Sequence, residues 1–70
     1  MHAVIPRELQ QAMNNQGILG EIKHDGGGGL IIAVSDQTVN RSQLGWYRGF
    51  IDTLKAVGVK LEVTGTLSAH

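Results

Sequence analysis

The apolar positions of the chain change their period from one stretch to the next. Over residues 5–15 they recur at helical spacing, with Ile5, Leu9, Ala12 and Met13 on one stripe. Pro6 suits the first position of a helix, where its missing N–H is no loss. Asn14, Asn15 and Gly17 supply the stop signals, so a short helix is predicted here. Over residues 18–24 the pattern alternates, with Ile18, Gly20 and Ile22 on one face and Leu19, Glu21 and Lys23 on the other, as in a half-buried strand. Residues 30–34, Leu-Ile-Ile-Ala-Val, are apolar on both faces, as a central strand is. Asp25 and the run Gly26, Gly27, Gly28 and Gly29 lie between these two and read as a hairpin loop. Residues 35–40 read as a polar connection.

The longest periodic stretch is residues 41–57, RSQLGWYRGFIDTLKAV. At about 100° per residue, Leu44, Trp46, Tyr47, Phe50, Ile51, Leu54 and Val57 share a broad arc that holds every aromatic residue of the chain. Arg41, Arg48 and Lys55 form a basic stripe on the opposite side, with Asp52 beside them. Between the two runs a ridge of small residues: Ser42, Gly45, Gly49, Thr53 and Ala56. Each interior glycine costs a helix roughly 0.5–1 kcal/mol relative to alanine, which implies that something approaches the ridge closely. The first helix and a second subunit are both candidates. Asn40 is the expected N-cap with Gln43 as its capping-box partner, and Gly58 the expected left-handed terminator.

After this helix Val59, Leu61, Val63, Gly65 and Leu67 alternate with Lys60, Glu62, Thr64 and Thr66, which predicts one last strand, with residues 68–70 a loose tail. The order is therefore α-β-β-α-β, an α+β fold. The hairpin pairs the first two strands antiparallel, and the long helix allows the last strand to run parallel beside the central one. The expectation is a three-stranded mixed sheet covered on one face by the long helix, with the short helix beside it or at a sheet edge.

Length then bounds the energetics. Seventy residues make one domain, and a chain this short buries only about 60% of its unfolded surface. Small scaffolds usually need a staple. With no cysteine there is no disulfide, no thiolate metal site and no cysteine nucleophile, and a reducing, cytoplasmic setting is expected. The remaining staple is another subunit. Six basic and six acidic residues cancel to a formal net charge of zero, which disfavours binding driven by bulk attraction to nucleic acid and lowers the barrier to self-association. The N-terminal residues lack the basic region and apolar run of a signal peptide, and no apolar run approaches a membrane span.

Candidate chemistry is sparse. The four glycines lead into a strand and no Lys-Ser/Thr pair follows, unlike a phosphate loop, which opens a helix. They read as a turn, with a small-molecule or nucleotide site as the alternative. His2, His24 and His70 are scattered and offer no convergent metal set. The carboxylates are not paired, and Ser35, Ser42 and Ser68 lack a base and an orienting group. Asp36 reads as a turn residue closing onto its own backbone. No cofactor is expected, and no enzyme.

What is left is an interaction surface. Trp46 lies at the edge of the apolar arc next to the ridge, where it could pack in the core or anchor a partner. The expectation is a small non-enzymatic protein-binding or regulatory module, self-associating as a homodimer, with Ser42, Gly45, Trp46, Gly49 and Thr53, or an edge strand, as its interface. A chain of this size also suits a phage or mobile-element inhibitor of a host protein. The alternatives are a nucleic-acid accessory protein using Arg41, Arg48 and Lys55, and a ligand-binding protein using the glycine loop.

Overall fold

Local signals set both helices. The structure, a computed structural model, describes residues 6–70, so His2 and the contribution of Ile5 to the first stripe lie outside it. Helix α1 spans Pro6–Asn15 and α2 spans Arg41–Ala56. At the start of α2 the Asn40 side chain accepts from the Gln43 N–H at 2.8 Å, and the Gln43 side chain accepts from the Asn40 N–H at 2.8 Å. Two otherwise orphaned donors are thereby satisfied. The Gln43 amide also donates to the Gln16 carbonyl at 2.7 Å, which ties the start of α2 to the end of α1. At the far end the Gly58 N–H donates to Lys55 O and the Val59 N–H to Leu54 O, a Schellman closure with Gly58 at φ +89°.

The strands are β1 Gly20–His24, β2 Leu30–Val34, β3 Gln37–Val39, β4 Leu61–Thr64 and β5 Leu67–Ala69. Three of them form a mixed sheet in the order β1-β2-β4, with β1 antiparallel and β4 parallel to β2. Ile22, Leu30, Ile32 and Val34 point to one face, where Met13 of α1, Ile18, and Tyr47 and Leu54 of α2 close over them. This is the expected α+β arrangement. The opposite face carries Glu21, Lys23, Glu62 and Thr64 around Ile31 and Ala33, and is largely exposed.

Four details depart from the sequence reading. The polar connection contains β3, which pairs in parallel with β5, so residues 68 and 69 are strand and not a loose tail. The last strand is also broken in two and starts at Leu61, not at Val59. Leu30 faces Leu61 but Gln37 faces Leu67, so β2–β3 holds one residue more than β4–β5 across the break. This is a bulge that bends one long parallel pair into two short ladders. Gly65 sits in it at φ +87°, packed so tightly on Val34 that a Cβ would strike the Val34 carbonyl oxygen. Asp36 does not close on its own backbone. Its carboxylate accepts from the Thr66 N–H at 2.7 Å and bridges the bend to the opposite strand. Finally, Val57 is 69% exposed and belongs to no core arc.

Candidate binding surface on the long helix

The buried side of α2 is narrow. Only Tyr47 and Leu54 are fully buried, while Leu44, Trp46, Phe50 and Ile51 are half-buried. Gly49 lies about 200° around the helix from both Tyr47 and Ile51, so the small ridge turns away from the sheet. Ser42, Gly45, Gly49 and Thr53 are exposed. A Cβ built on Gly45 or Gly49 meets nothing within 4 Å among the described residues. Helix α1 therefore does not use the ridge for close approach. The Thr53 hydroxyl donates to the Gly49 carbonyl at 2.8 Å, which leaves the ridge with little free polarity at that point.

Beside the ridge stands an aromatic shelf. The rings of Trp46 and Phe50 stack with centroids 4.9 Å apart and planes 14° from parallel. Gly45, Gly49 and Thr53 form one side of an open groove of about 490 Å³, Trp46, Phe50 and Leu54 its floor, and Leu9 of α1 its far wall. The structure thus brings four of the five expected interface residues, Gly45, Trp46, Gly49 and Thr53, together with three that were not singled out for it, Leu9, Phe50 and Leu54. All three were on apolar stripes in the sequence; that the stripes meet at one groove is a tertiary fact.

The basic stripe divides. Arg41 stays apart, whereas Arg48 and Lys55 join Tyr47, Ile51, Asp52 and Val63 around a second groove of about 340 Å³ between α2 and β4. The Tyr47 hydroxyl there is buried with no hydrogen-bond partner among the described residues, and burial pushes its pKa up. The Asp52 carboxylate shares this groove with the two cations, so it presents no uniform positive field.

The glycine loop is satisfied from within. Asp25 accepts from the Gly27 N–H at 2.7 Å and the Gly29 N–H at 3.0 Å, and these bonds, with a smaller contribution from nearby Lys60, hold its carboxyl below the usual range. A phosphate loop leaves such donors free for its ligand; here a carboxylate of the chain already takes two of them. His24 and His70 are exposed, and no cluster of three or more potential metal ligands occurs among the described residues. No helix among them is long and apolar enough to cross a membrane. Comparison with protein-family models, with curated proteins and with solved structures finds no match to this chain.

Proposed function

We propose that this chain is a small, non-enzymatic protein-binding module with a regulatory role, and that the groove on α2 is where it takes its partner. One observation carries the proposal: a stacked Trp46–Phe50 pair left half-exposed beside two helix glycines that face open space. Interior glycines cost the helix stability. With no neighbour of their own chain to make room for among the described residues, they keep a path open to the aromatic floor. Trp is enriched at the anchoring points of protein interfaces, and a partner helix or loop presenting an apolar side chain suits a groove with so little charge. Such a module, built without cysteine, fits a cytoplasmic regulator or inhibitor of a larger protein, including the phage or mobile-element kind, and it fits self-association. The two alternatives have weaker support, because Asp25 engages the loop donors and Asp52 accompanies Arg48 and Lys55.

A photo-crosslinking amino acid at Thr53, in the cell of origin, tests this. The expected result is a discrete protein adduct at Thr53, absent when the same probe replaces Lys23 on the far face of the sheet and lost when Gly49→Leu fills the groove. Equal labelling from both positions would refute it.

A further inference from the structure

The two edges of the three-stranded sheet are treated differently. At β1 two of the outward backbone groups are engaged: the Ile22 N–H donates to Gln10 Oε1 at 2.8 Å and Gln10 Nε2 donates to the Gly20 carbonyl at 3.0 Å. One glutamine of α1 thus takes the place of a neighbouring strand. At β4 no strand follows among the described residues. Leu30 donates to Lys60 O, and residues of a parallel strand alternate in the side to which they turn their backbone groups. Lys60 and Glu62 therefore face β2, while Leu61 and Val63 turn their N–H and C=O to the open edge. Val63 is 41% exposed there. An unprotected apolar edge is a template for another strand.

We infer that the strand that pairs with this edge is β4 of a second copy, antiparallel and centred on Leu61. The inference rests on the self-association within the proposed function and gives it a surface and a register. Residues 59–63 read Val-Lys-Leu-Glu-Val. With Leu61 opposite Leu61 of the second copy, Lys60 stands opposite Glu62 and Glu62 opposite Lys60, while Val63 falls opposite Val59, which precedes β4 and whose N–H is already given to Leu54 O. The three central pairs are then apolar with apolar or opposite in charge, the combinations that stabilise a sheet. The next register in phase with the open groups, Leu61 on Val63, sets Glu62 against Glu62 and is disfavoured. The inferred pairing is two-fold symmetric, as an isologous dimer must be. It extends the sheet to six strands and covers Val63, which also lines the second groove.

Sedimentation over a range of concentrations tests the surface and the register together. The native chain is expected at twice its 7.5 kDa mass. Lys60→Glu alone and Glu62→Lys alone place like charges opposite each other and should each weaken self-association by about tenfold or more. The double exchange K60E/E62K, and an equimolar mixture of the two single variants, should restore it. Should Lys60→Glu unfold because Lys60 neighbours Asp25, the double exchange is lost with it, and Glu62→Lys against the neutral Glu62→Gln carries the comparison, with Val63→Lys as a second disruption of the edge. A native chain that stays monomeric, single variants that dimerise like the native chain, or a double exchange that fails to recover overturns the inference. A dimer broken by Gly49→Leu but not by the charge variants also overturns it and moves the contact to the α2 groove. The heterologous Thr53 adduct depends on neither Lys60 nor Glu62, so loss of this inference leaves that test standing.

Discussion

The same substitution should have opposite effects at three glycines. Gly45 and Gly49 are helical, exposed and faced by open space. Alanine there removes backbone freedom from the unfolded chain and adds no clash, so Gly45→Ala and Gly49→Ala should each stabilise the fold by about 0.5–1 kcal/mol. Gly65 combines φ +87° with a Cβ direction blocked by the Val34 carbonyl. Gly65→Ala should cost more than about 1 kcal/mol and loosen the β3–β5 ladder. Urea denaturation of the three variants checks the contrast; destabilisation at Gly49 would mean that a neighbour already occupies the ridge. Sequence reasoning could tell that Gly45 and Gly49 were unusual, because a helical period surrounds them. It could not tell that none of the described residues faces them, nor that Gly65, which fits the alternation of its neighbours, is held at positive φ against Val34. Both facts depend on atoms distant in sequence.

At the scale of elements, legibility follows the range of the interactions. The capping box Asn40–Gln43 and the Gly58 terminator lie within a few residues of what they cap, and both were readable. The hairpin was readable from Asp25 and the glycines. Strand β3 was not: Gln37, Thr38 and Val39 are too few to show a period, and they become a strand only because Leu67, Ser68 and Ala69 arrive from the far side of α2. The groove was half legible, since Trp46 and its ridge lie on one helix while Leu9 comes from another. The hairpin also carries a pH signature. The Asp25 carboxyl is held below its ordinary pKa by the Gly27 and Gly29 N–H groups. Its contribution to stability is therefore present in full above the unfolded-state value near 3.8 and is lost as pH falls through the lower folded-state value. Between neutral pH and about pH 2, Asp25→Asn should flatten the acid side of the stability profile relative to the native chain. Parallel profiles would show that the two bonds do not favour the charged carboxylate.

For the whole molecule, small size and function share one cause. Among the described residues the core cluster of eight draws on α1, β1, β2 and α2, and besides the single exposed side chains Leu19 and Val57 it leaves apolar surface at two places, the Trp46–Phe50 groove and the β4 edge around Val63. A larger domain would cover both with its own chain. Here the first is the surface we propose for a partner and the second the one we infer for another copy. That the groove is the working surface is tested most directly by the affinity of Gly49→Leu for the protein captured at Thr53, measured by titration calorimetry alongside its melting curve. A Cβ at this position meets none of the described residues within 4 Å and the groove beside it is open, so the variant should fold with native or higher stability. Filling the groove should weaken partner binding by about tenfold or more. A folded Gly49→Leu that binds the partner with native affinity would contradict the assignment of function to this groove.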